Sequence, residues 1–84
     1  MWSNKEAKRL GAVLREARLD RGFSQEKLAF TAGITKNQLQ LLEAGRASGR
    51  KGETGPSNPQ MATVYGLAKV LNLTVAELFQ RAVL

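Results

Sequence analysis

Apolar positions recur at intervals of three and four residues along most of the chain, the period of an α-helix buried on one side. Between about Lys5 and Arg21, Leu10, Val13, Leu14 and Ala17 form a stripe with Lys8, Arg9, Arg15 and Glu16 outside it, and Gly22 ends the segment. A second helix, 25–32, starts at Ser24 as N-cap, with Phe23 spaced to staple onto Leu28, carries Leu28, Ala29 and Ala32 inward, and stops at Gly33. The third, 36–44, has Thr35 as cap, Gln38 as reciprocal capping-box partner and Ile34 opposite Leu39, and Gly45 follows it. Asn58-Pro59 reads as a cap followed by proline at the first helical position, which opens a fourth helix over 59–71 with Met61, Val64, Leu67, Ala68 and Leu71 inward and Asn72 closing it. Thr74 and Glu77 form another capping box, Leu73 can staple to Leu78, and a fifth helix spans 75–82.

The prediction is therefore an all-α fold of five helices in a single domain covering residues 1–84. One long connection interrupts it, residues 46–57 with Gly49, Gly52, Gly55 and Pro56, which is expected to be a mobile loop. At 84 residues the chain has room for one core. No apolar run approaches the length of a membrane span, and the N-terminal stretch lacks the apolar centre of a signal peptide. A cytoplasmic, nucleoid-associated location is expected.

Charge narrows the function. The chain holds 13 Lys and Arg against 7 Asp and Glu, a net +6, and the whole excess lies in residues 1–51. A basic domain whose charge is so placed is suited to meet a polyanion with that part. There is neither cysteine nor histidine. That removes disulfides, thiol nucleophiles, imidazole bases and the usual zinc sites. With Asp20 as the single aspartate and the glutamates scattered over helix surfaces, no catalytic constellation is visible. No enzyme activity, metal or cofactor is expected.

Residues 24–45 are two short helices separated by Gly33-Ile34-Thr35, the helix-turn-helix spacing, with Ala29 small enough to let the helices approach. The string SQEKLAFTAGITKNQLQLLEAG resembles the DNA-binding core of the Cro and lambda-repressor (XRE-like) class of regulators, with Gln25, Ala29, Gly33, Leu39, Leu42, Glu43 and Gly45 on the family's characteristic positions. NPQMATVYGLAKVLNLTVAELF is similar to the family's closing helices, and Arg18 stands where the family commonly has arginine. The resemblance implies a five-helix, lambda-repressor-like domain and a partly buried structural ion pair between Arg18 and Glu43.

With Leu39 and Leu42 buried, a rotation of 100° per residue turns Asn37, Gln40, Leu41 and Ala44 to the opposite face, with Lys36 at the exposed N-terminal end. Lys36, Asn37, Gln40 and Leu41 are the candidate base readers. Lysine can donate to guanine O6 and N7, asparagine can pair twice with adenine, and glutamine offers a donor and an acceptor. Leu41 can meet a thymine methyl or pack against the neighbouring loop or a partner chain. The candidate phosphate contacts are Gln25, Thr35, Arg46, Arg50 and Lys51. Gln25 sits at a helix N-terminus, where amides and dipole favour an anion, and the resemblance implies that it touches the sugar-phosphate backbone.

One such module makes few base contacts, so a homodimer on two half-sites is expected. Phe79, Val83 and Leu84 are its candidate interface, with Trp2 as a second possibility. The function expected is a sequence-specific regulator of transcription on double-stranded DNA, a repressor because no separate activation or ligand domain fits. The alternative is an antitoxin or similar interaction module that occupies a toxin partner and binds DNA to regulate itself.

Overall fold

The computed structural model describes residues 2–46 and 59–83. Five helices follow one another: α1 (Asn4–Asp20), α2 (Gln25–Ala32), α3 (Lys36–Ala44), α4 (Met61–Val70) and α5 (Val75–Arg81). The all-α, five-helix expectation holds, and no single helix among the described residues is long and apolar enough to cross a membrane.

The three connections that lie wholly within the described residues repeat one local device. Gly22, Gly33 and Asn72 each adopt positive φ just after a helix. Each is followed by an apolar residue, Phe23, Ile34 or Leu73, whose backbone N–H reaches back to the carbonyl of Arg18 (3.0 Å), Ala29 (2.9 Å) or Ala68 (2.8 Å). This is the Schellman closure, which satisfies carbonyls that the helix end leaves without partners. The next residue, Ser24, Thr35 or Thr74, then caps the following helix by accepting the amide of Lys27, Gln38 or Glu77. The apolar residue in the middle packs on the core. A left-handed residue, an apolar residue and a hydroxyl therefore end one helix, anchor the corner and start the next within three positions.

The core joins Leu10, Leu14 and Ala17 of α1 to Leu28 and Ala29 of α2, Leu39 and Leu42 of α3, Val64, Leu67 and Ala68 of α4, Leu71, and Leu78 of α5. Leu14, Leu28, Leu39, Leu67 and Leu78 are fully buried, and each such burial stabilises the fold by about 1.5–3 kcal/mol relative to exposure. Through this core α1 packs on α3 and α5, and α2 on α3 and α4.

The start of α4 differs from the expectation. Pro59 is not its first residue: Gln60 has extended backbone (φ −66°, ψ 147°) and is the N-cap, and its carbonyl is the first to accept, from the amides of Thr63 and Val64 at 3.0 and 3.1 Å. Pro59 instead lines an apolar cavity with Trp2, Leu10, Met61, Val64 and Phe79. The shift leaves Met61 in the first turn, 59% exposed rather than in the core. At the other end of the chain, α1 begins one residue early, with the Ser3 amide donating to Glu6 Oε1 at 2.9 Å.

Candidate nucleic-acid interface

Nine residues give α3 a length of about 14 Å at 1.5 Å per residue, comparable to the ~12 Å width of the B-DNA major groove. Leu39 and Leu42 are buried, whereas Lys36, Asn37, Gln40 and Ala44 are exposed and Leu41 is half-buried. Gln38, although exposed, is committed locally: its Oε1 accepts the Thr35 amide at 2.8 Å while its own amide donates to Thr35 Oγ1 at 3.0 Å. Thr35 therefore caps α3 at the very edge where its first exposed residues emerge.

The inner side of α3 is held by polar as well as apolar contacts. Arg18 Nε donates to Glu43 Oε2 at 2.8 Å and Arg18 Nη2 to Glu43 Oε1 at 3.1 Å, a fork-to-fork pair between α1 and α3. Arg18 Nη1 also donates to the Phe23 carbonyl at 3.0 Å. Gln25 Nε2 donates to Glu43 Oε1 at 3.0 Å, which ties α2 to the same carboxylate. Among the described residues no buried side-chain nitrogen or oxygen lacks a partner. A buried ion pair without such bonds would cost more in lost hydration than it returns.

Two glycines set how close α3 lies to α1. A Cβ on Gly11 would stand 2.4 Å from the Leu42 carbonyl oxygen and 2.6 Å from that of Glu43. Gly45, at φ 72°, closes α3, and a Cβ there would lie 2.9 Å from the backbone of Lys8. The periodicity of α1 gives no hint of the Gly11 contact, since a glycine within a helix shows only as a residue of poor propensity.

The candidate residues thus divide. Lys36, Asn37 and Gln40 come together on the outer face of α3, with Leu41 beside them and Arg46 exposed just beyond its end. Gln25 is half-buried and turned toward Glu43, with one of its two amide hydrogens engaged there. Phe79 packs partly against the core, and Val83 is 75% exposed. Arg50, Lys51, Leu84 and the loop beyond Arg46 lie outside the described residues. Two features were not anticipated. Lys36 Nζ lies 3.3 Å from Glu26 Oε1 on the first turn of α2, and Phe30, also on α2, is 83% exposed. An i to i+10 pairing across a turn leaves no mark in helical periodicity.

Residues 9–79 match the family model described as a helix-turn-helix domain. The chain belongs to the helix-turn-helix family, in the Cro and lambda-repressor class. This is a family of DNA-binding transcription regulators, not of enzymes. The helix-turn-helix chain is 30% identical over 66 residues to an uncharacterized HTH-type transcriptional regulator of Archaeoglobus fulgidus, covering 79% of this chain and 80% of that one. Among solved structures it is similar to the restriction-modification controller protein C.AhdI from Aeromonas hydrophila, at 32% identity and a TM-score of 0.72, over 87% of this chain and 96% of the other. The clp gene regulator ClgR from Corynebacterium glutamicum shares the fold, with a TM-score of 0.78 at 24% identity over 93% of this chain and 72% of that one.

Proposed function

We propose that this helix-turn-helix protein is a sequence-specific repressor that places α3 in the major groove of double-stranded DNA and occupies paired half-sites as a homodimer. The observation that carries this reading is the two-sidedness of α3. Its inner flank is anchored through Leu39, Leu42 and Glu43, and its outer flank presents Lys36, Asn37 and Gln40 as exposed residues. Asn37 pairs with adenine, Lys36 donates to guanine, Gln40 reads a neighbouring edge, and the open part of Leu41 meets a thymine methyl.

Phosphates flanking the groove are met by the second amide hydrogen of Gln25, by Thr35 at the α3 cap and by Arg46, with Arg50 and Lys51 assigned to the same role on sequence grounds. Val83, with Leu84 and the open edge of Phe79, supplies the dimer contact, and a dimer of such modules reads half-sites about 34–36 Å apart. An operator that overlaps a promoter is closed to the transcription machinery when this protein occupies it, and that is the repression proposed.

Selection from a random duplex library tests the reading. Inverted repeats should be enriched. Asn37→Ala should lose preference at one position per half-site, whereas Arg46→Ala should weaken every duplex alike and make the slope of log K against log salt shallower by about 1. Enrichment without a consensus, or an Asn37→Ala loss equal on all sequences, overturns it.

A further inference from the structure

The first turn of α2 carries a carboxylate where a DNA-facing helix N-terminus would be expected to welcome phosphate. Glu26 lies in that turn, and its Oε1 is 3.3 Å from Lys36 Nζ at the N-terminal end of α3. The two side chains line one shallow depression with Arg18, Ser24 and Gln25. Arg18 is committed to Glu43 and to the Phe23 carbonyl, and Ser24 Oγ accepts the Lys27 amide at 3.0 Å. Lys36 is the cation that answers Glu26 there.

As a stabilising device the pair is weak. The Glu26 side chain is 76% exposed and that of Lys36 50%, and ion pairs so open to water contribute little to folding. Its effect lies in where it leaves the lysine. A lysine ammonium is a point charge on a flexible four-carbon stem. At the lip of a groove such a stem can reach either a base edge or a phosphate, and the phosphate contact carries no sequence information. A carboxylate on the α2 side biases the ammonium toward the exposed flank of α3.

We infer that Glu26 is a positioning residue for sequence discrimination: by pairing with Lys36 it keeps that ammonium on a base edge and off the DNA backbone. The inference rests on α3 being the reading helix. Without Glu26 the lysine is free to neutralise a phosphate, so binding becomes stronger on arbitrary DNA and less selective.

The test measures affinity across a salt series for two probes: the duplex most enriched from a random library by the unaltered protein, and a scrambled duplex of the same base composition. Glu26→Gln should tighten binding to the scrambled duplex, steepen its salt slope by up to about 0.9, and lower the ratio of the two affinities roughly two- to fivefold, the scale of one exposed ion pair. In a Lys36→Met background the same substitution should leave that ratio unchanged, because the residue it positions is gone. Thermal melts of Glu26→Gln should match those of the unaltered protein. The inference is overturned if Glu26→Gln shifts both affinities by one factor, or if the ratio falls equally in the Lys36→Met background. If the unaltered protein enriches no consensus, the reading of α3 fails and this inference with it; a clear consensus with a neutral Glu26→Gln overturns this inference alone.

Discussion

Replacing Glu43 with alanine should remove the central acceptor of the α1–α2–α3 junction. The carboxylate accepts from Arg18 Nε at 2.8 Å, from Arg18 Nη2 at 3.1 Å and from Gln25 Nε2 at 3.0 Å. Side-chain exposure is 9% for Arg18 and 4% for Glu43, so the pair lies out of reach of bulk water. In Glu43→Ala the guanidinium keeps one bond, to the Phe23 carbonyl, and becomes a buried charge without a counter-charge. Breaking a buried pair in this way costs about 3–5 kcal/mol. A domain of 84 residues has roughly 4–13 kcal/mol in total. At about 4–8 °C per kcal/mol for a domain of this size, the midpoint of thermal unfolding should fall by at least ~12 °C. Urea titration followed by far-ultraviolet circular dichroism gives the free energy directly. The double variant Arg18→Met, Glu43→Leu should recover most of the loss, since replacing both charges with apolar groups of similar volume is often neutral or stabilising. A Glu43→Ala loss below about 1 kcal/mol, or a double variant as unstable as the single one, would refute the account of a buried charge left alone.

Two further outcomes follow from contacts elsewhere on α1. Gly11→Ala raises helix propensity by about 1 kcal/mol, yet its new methyl would lie 2.4 Å from a backbone oxygen of α3 that cannot rotate away. Overpacking of this kind costs about 1–3 kcal/mol, so both melting temperature and DNA affinity should fall, and a more stable Gly11→Ala would contradict the close approach. At the start of α1, the Ser3 side-chain hydrogen bond holds the Glu6 carboxyl below the ordinary glutamate range. Because the folded value is the lower one, the capping contribution is complete above the unfolded value and is lost as pH falls through the folded one. A carboxyl titration by nuclear magnetic resonance should show Glu6 rising toward the ordinary value in Ser3→Ala.

Most of the fold was legible because its signals are local. Each of the three corners within the described residues is written in three positions, as in Gly33-Ile34-Thr35, where conformational freedom, apolar anchor and hydroxyl cap act on their immediate neighbours. The outer flank of α3 was legible for the same reason: once Leu39 and Leu42 turn inward, helical geometry places Lys36, Asn37 and Gln40 outside. The entry to α4 was misread because proline is compatible both with a first helical position and with the extended stretch that precedes one. The apolar cavity that receives Pro59 is built from residues far away in sequence, Trp2 and Leu10 on one side and Phe79 on the other.

By itself, the sequence determined the five helices, the caps of α2, α3 and α5 and which side of α3 faces outward, since hydrogen bonds and side-chain periodicity within a few residues decide those. Tertiary structure alone decided that Gly11 admits the carbonyls of α3, that Gln25 turns inward to Glu43 and that Glu26 meets Lys36. Those contacts join different helices across 10 to about 30 positions, and their geometry exists only once the helices have packed.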